Sequence, residues 1–149
     1  MVYKFKGKTF KEFNIGDEFT TASRTITEAD VVNFAGLSGD FNPLHTDEEF
    51  GKSTPFKGRV AHGMLSVAIA TGLANQLGIF EGTTIALLSM TINYKGAAKF
   101  GDTIHLELKV AEKKETSKDD RGIVIFDTII YNQNNEPIVE GQWVVMLRK

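Results

Sequence analysis

The chain has 149 residues, 42% of them apolar and 24% charged, a balance expected of one soluble domain, residues 1–149, built on one core. A net charge of −2 gives no electrostatic reason to expect nucleic acid, and the lack of cysteine excludes disulfides, thiolate metal sites and a cysteine nucleophile. The longest mostly apolar run, residues 63–74, is too short to span a bilayer, and Met1–Lys6 lacks the apolar stretch of a signal peptide, so no membrane partner and a cytoplasmic location are expected.

In chain order, residues 17–25 predict a strand. A helix follows: Thr27 can cap it, Glu28 and Asp30 put negative charge in its first turn, and Val31, Val32, Phe34, Ala35 and Leu37 supply apolar faces. Gly36-Leu37-Ser38-Gly39 ends it. Residues 40–61 read as irregular, because Pro43, Gly51, Pro55 and Gly58 break every period. A loop of that length inside a compact domain is often functional. The second helix spans about His62 to Leu77, apolar on nearly all sides and so expected to be buried. Its small residues, Ala68, Ala70, Gly72 and Ala74, would let a sheet pack close around it.

After Gly82 the pattern changes to strands. Residues 83–95 are rich in Thr, Ile, Leu and Tyr. Ile104, Leu106, Leu108 and Val110 alternate with polar residues, as a half-buried strand requires. Lys113–Asp120 reads as a charged hairpin loop. Residues 122–131 and 137–147 are two further strands, joined by a turn at Asn132-Gln133-Asn134-Asn135. One strand, two helices and then four long strands indicate an α+β fold with an antiparallel sheet curled around the second helix.

Chemistry concentrates on both sides of the irregular segment. Asp40 and His45 bracket Phe41-Asn42-Pro43-Leu44, where proline restricts its own backbone and that of Asn42 and favours a fixed turn. A carboxylate and an imidazole beside one water can take up and return a proton near neutral pH. The competing structural reading has Asp40 capping a turn and His45 bonded to backbone. At the start of the second helix, Gly63 offers an N–H without an intrahelical acceptor, at the positive end of the helix dipole, and leaves room for a substrate. It could donate to a carbonyl oxygen that gains charge during reaction. His62 has either a packing or capping role there or one in positioning. Ser66 and Thr71, on the same helix, read most simply as hydroxyls bonded to the carbonyl one turn back.

Asp40, His45, Asp47 and His62 could be assembled as metal ligands, but the spacing matches no common site, so no metal is expected. His105 alternates with apolar residues and is expected to face solvent. Lys52, Lys57, Arg59, Lys95 and Lys99 form either a solvated face or a phosphate-binding rim.

Ser38–Asp47, followed by Phe56-Lys57-Gly58-Arg59-Val60-Ala61-His62-Gly63-Met64-Leu65, resembles the MaoC-like family, whose best-known members are (R)-specific enoyl-CoA hydratases. The likeness takes in Phe13–Asp17 and Phe100-Gly101-Asp102, and so covers most of the chain. It implies a hot-dog fold, a long central helix wrapped by an antiparallel sheet, and a homodimer or a dimer of dimers. It implies Asp40 and His45 as the catalytic pair and Gly63 as the backbone donor to the thioester oxygen. Asn42, His62 and Thr71 would position water or substrate, Thr71 standing where some members carry a serine. The implied substrate is an acyl-CoA thioester, with no cofactor. Gly96-Ala97-Ala98 departs from many relatives, which have a proline and a bulkier apolar residue there. The expected activity is reversible addition of water to trans-2-enoyl-CoA. The alternatives are an acyl-CoA thioesterase on the same fold and a non-catalytic acyl-CoA-binding subunit.

Overall fold

The computed structural model describes residues 1–149. The order of elements is β1 (Glu18–Thr20), β2 (Arg24–Thr25), α1 (Glu28–Ser38), α2 (Pro43–Thr46), α3 (Glu48–Ser53), α4 (Gly63–Gln76), β3 (Thr84–Tyr94), β4 (Thr103–Glu115), β5 (Arg121–Tyr131) and β6 (Pro137–Arg148). All strand pairs are antiparallel, in the sheet order β1-β4-β5-β6-β3, with β2 also paired to β4.

The helix starts follow from capping. Thr27 accepts from the Asp30 N–H while the Asp30 side chain accepts from the Thr27 N–H, a reciprocal capping box. Gly39, at φ +78°, ends α1 in the left-handed conformation that glycine adopts without steric cost. The segment 40–61 is more ordered than expected, since it holds α2 and α3. Asn42 caps α2 with Pro43 in its first turn, and Asp47 caps α3 through the Phe50 N–H. Helices this short have no hydrophobic period, so only their caps announce them.

The strand expected over 17–25 is broken in two. Thr21 is buried between the halves, and its hydroxyl accepts the Leu106 N–H at 2.9 Å, which substitutes for a ladder bond. Thr20 lies opposite Glu107 and Arg24 opposite Ile104, so the register slips by one residue across the break. The four long strands lie where the alternation put them, although β4 continues to Glu115 and shortens the charged loop. Bulges in β3 and β4 help the sheet curl.

The hollow of that sheet holds α4. Leu65, Val67, Ile69, Ala70, Leu73 and Ala74 are buried against Leu106, Leu108, Phe126, Trp143 and Val145 in one core. Each large side chain so buried contributes about 1.5–3 kcal/mol. The expectation of a helix buried on every side needs correction. Met64 is 52% exposed, and Ala68, Gly72 and Asn75 continue an open stripe at helical spacing. β3 pairs with β6 alone, so its other edge is unpaired and carries Ile85, Leu87 and Leu88, all exposed. His105 is not fully solvent-facing: it is half-buried and stacks on Tyr131 at 5.4 Å.

Candidate active site

The start of α4, the turn from Gly39 to Thr46 and the segment 96–98 meet around an apolar cavity of about 260 Å³. His45, Gly63 and Ser66 line it, together with Phe56, Tyr94 and Ile138. Main-chain bonds hold the walls: Val60 N–H donates to Leu44 at 3.2 Å, and Ala61 N–H donates to Ala98 at 2.8 Å.

His45 is fixed by its Nδ1, which lies 2.7 Å from the main-chain oxygen of Val60. A carbonyl can only accept, so Nδ1 carries the proton and the Nε2 lone pair of the neutral ring is left for other work. The backbone bond expected of His45 is present, and it occupies only one of the two ring nitrogens. Asp40 is exposed. Its carboxylate accepts the Asn42 N–H at 3.2 Å, a turn-capping contact, and its N–H donates to Ser38 Oγ at 3.2 Å. Asp40, His45 and His62 each offer a ligand-type atom within 4.8 Å of those of the other two. No direct Asp40–His45 hydrogen bond forms, and the separation suits a small molecule held between them.

Gly63 is the first residue of α4, so its N–H has no intrahelical acceptor. A Cβ added there would lie 2.7 Å from Cζ and 3.0 Å from Cδ1 of Tyr94, and closer still to Cε1. A side chain here would displace the ring of Tyr94, a reason for glycine that is independent of any substrate. Ser66, one turn into the helix, is buried and lines the same cavity.

Two expected site residues have other surroundings. Asn42 accepts the Leu44 N–H on its Oδ1 at 3.0 Å, so its side chain builds the turn that carries His45. Thr71 is not brought to this cavity within the chain. Its hydroxyl donates to the Ala68 carbonyl at 2.7 Å, and it borders a separate groove with Ala74, Leu87 and Trp143. The hydroxyl beside Gly63 is that of Ser66, three residues away on the same helical face, a spacing visible in the sequence. Tyr94, Ile138 and Val139 carried no such signal.

Of the residues weighed as metal ligands, Asp47 is occupied as the cap of α3. The rings of His45 and His62 stack with centroids 3.8 Å apart and planes at 27°. In-plane lone pairs of stacked rings run side by side rather than converging on one ion, which disfavours a shared metal. Among the basic residues, Lys52 pairs with Glu49, Lys95 lies 3.8 Å from Glu140, and Arg59 bridges Glu28 and Glu48. Arg59 also lies 4.6 Å over the Phe100 ring, and its hydrogen bond holds the Glu48 carboxyl below the usual carboxylate range.

Residues 11–128 match the MaoC-like domain model. The (R)-specific enoyl-CoA hydratase of Aeromonas caviae is 34% identical over 125 residues, covering 84% of this chain and 89% of that one. The unliganded R-hydratase of Pseudomonas aeruginosa superposes with a TM-score of 0.75 at 32% identity, over 93% of this chain and 84% of that one. A Mycobacterium tuberculosis protein described as a double hot-dog fold superposes with a TM-score of 0.82 at 16% identity, over 95% of this chain and 44% of that one, a likeness of fold alone. With the domain matched across most of its length and a hydratase relative above 30% identity over most of both chains, this chain is a hot-dog protein and belongs to the MaoC-like domain family.

Proposed function

We propose that the protein is an (R)-specific enoyl-CoA hydratase, acting equally as a 3-hydroxyacyl-CoA dehydratase in reverse. The observation that carries this reading is that His45, with its Nε2 free, and Gly63, with its unpartnered N–H, line one apolar cavity while the Asp40 carboxylate lies within 4.8 Å of a His45 ring nitrogen. In the hydration direction Asp40 and His45 hold one water. One of the pair takes a proton from the water as the water oxygen bonds to C3, and the pair returns a proton to C2, so the C2=C3 π bond is replaced by the new C3–O and C2–H bonds and the pair ends in its starting protonation state. Gly63 N–H donates to the thioester oxygen as charge gathers there in the enolate-like transition state. The acyl chain lies along the cavity beside Ile138 and the short side chains of 96–98. No cofactor is needed.

The same reading includes a homodimer. The unpaired β3 edge with Leu87 and Leu88, and the open α4 stripe of Met64, Ala68 and Gly72, form an apolar surface that a second copy would cover.

The test is loss of enoyl thioester absorbance with crotonyl-CoA, the product being coupled to an enantiomer-specific dehydrogenase. Formation of (R)-3-hydroxybutyryl-CoA is expected. Asp40→Asn and His45→Gln should each lower kcat by at least about 100-fold, the scale of a lost acid/base group. Near-parental turnover in either folded variant would sink the mechanism, and release of free thiol would mark a thioesterase instead.

A further inference from the structure

Only half of the polar character of His62 is accounted for. The residue is 2% exposed, 22 residues from Asp40 in sequence, and its Nε2 lies 2.9 Å from the Asp40 main-chain oxygen. Since that oxygen can only accept, Nε2 carries the proton and Nδ1 is left as a lone pair. Nδ1 is buried and has no hydrogen-bond partner. The ring fills a slot between His45, stacked at 3.8 Å, and Phe34, edge-on at 5.0 Å.

A buried acceptor without a donor is unfavourable. Phenylalanine would fill the same slot without that penalty. What phenylalanine lacks is the N–H aimed at Asp40. Asp40 needs such a tie, because it is exposed and follows the left-handed Gly39. Its other side-chain-mediated ties, to Ser38 and Asn42, are local and long, at 3.2 Å each. The His62 bond is shorter and joins the turn to the start of α4.

We infer that His62 is a positioning residue, resting on the hydratase reading: its N–H holds the Asp40 main chain while its ring backs His45, so that the carboxylate and His45 Nε2 keep a fixed separation. The two stacked imidazoles then hold opposite tautomers, His45 protonated on Nδ1 by way of Val60 and His62 protonated on Nε2 by way of Asp40. His62 acts through these two residues and takes no proton from the water.

Two measurements test this. Nitrogen-15 NMR of the unmodified protein at neutral pH should find His62 with a protonated Nε2 and a bare Nδ1, and His45 with the reverse. A His62 protonated on Nδ1 overturns the inference, whatever the protein does with thioesters. Kinetics with crotonyl-CoA should then separate donor from ring. His62→Phe keeps the ring and loses the donor: kcat should fall about 10–100-fold, as a misplacement of up to 1 Å does, with KM within about threefold. Its thermal midpoint should equal or exceed the parent's, which a purely structural histidine would not allow. His62→Gln, whose amide can reach the Asp40 carbonyl, should recover most of the lost kcat. Parental kcat in His62→Phe, or equal losses in both variants, overturns the inference. Asp40→Asn, run beside them, reads the hydratase mechanism separately: if it keeps parental turnover the mechanism fails, while the tautomers are still decided by NMR.

Discussion

Gly63→Ala separates two demands that meet on one residue. At the first position of a helix, with an ordinary negative φ, alanine should be welcome, since it is a better helix former than glycine by about 1 kcal/mol in a helix interior. The packing opposes this. The new Cβ would lie 2.7 Å from Cζ of Tyr94, against an optimal carbon–carbon separation of about 3.5–4.0 Å, so the ring must retreat by about 1 Å. Overpacking of this kind costs about 1–3 kcal/mol. Because Tyr94 is 52% exposed at the end of β3 and can turn toward solvent, the low end of that range applies. The two effects then nearly cancel, and the thermal midpoint should move little. Turnover should not be spared. On the hydratase reading the methyl group and the displaced Tyr94 ring crowd the approach of a thioester oxygen to the Gly63 N–H, and loss of one such donor costs about 2.7–4 kcal/mol, or 100–1,000-fold in kcat. The assay pairs thermal unfolding with crotonyl-CoA hydration for Gly63→Ala, Tyr94→Ala and the double variant. Relief of the clash in the double variant should restore any lost stability but not the lost turnover. Parental kcat in Gly63→Ala would refute the assignment of Gly63 as oxyanion donor. Full recovery of kcat in the double variant would show that displacement of Tyr94, not obstruction of the donor, caused the loss.

Arg59→Lys should lower the thermal midpoint by about 2–4 °C, because lysine cannot reach both Glu28 and Glu48 while lying flat on Phe100. The Glu48 carboxyl is held low by Arg59, so its stabilising contribution is present above the ordinary carboxylate range and lost as pH falls through the lowered value. The gap in thermal midpoint between the parent and Glu48→Gln should therefore close between neutral and strongly acidic pH, and a gap unchanged in acid would count against this ion pair. Leu87→Glu places a charge on the unpaired β3 edge and should shift the sedimenting mass from twice 16.5 kDa toward 16.5 kDa, whereas a parent already monomeric would remove the case for a homodimer.

What could be read from the chain alone was local. The Thr27 capping box, the glycine stop at Gly39, the apolar run of α4 and the period-two alternation of β4 act over a few residues, so composition and spacing are enough to place them. The Asp40–His45 spacing and the glycine after His62 were legible for the same reason. Other features were not. α2 and α3 are too short to carry a period, and the break between β1 and β2 depends on Thr21 meeting an amide 85 residues away. The exposed stripe of α4 was misjudged because an apolar pattern cannot distinguish a face packed in the core from one left open. Thr71 fell outside the cavity and Ser66 inside it once the helix was docked against the sheet.

The sequence by itself determined which residues could do proton chemistry and where the two longer helices and the four long strands lie, because helix caps, turns and alternation are short-range preferences of the backbone. Only the tertiary structure decided how those residues are held: His45 by Val60, Asp40 by His62, Gly63 beneath Tyr94. These contacts join segments 15, 22 and 31 residues apart, as residues 63 and 94 are. Such contacts form only when α4 settles into the curled sheet, where close packing leaves each side chain few places to go.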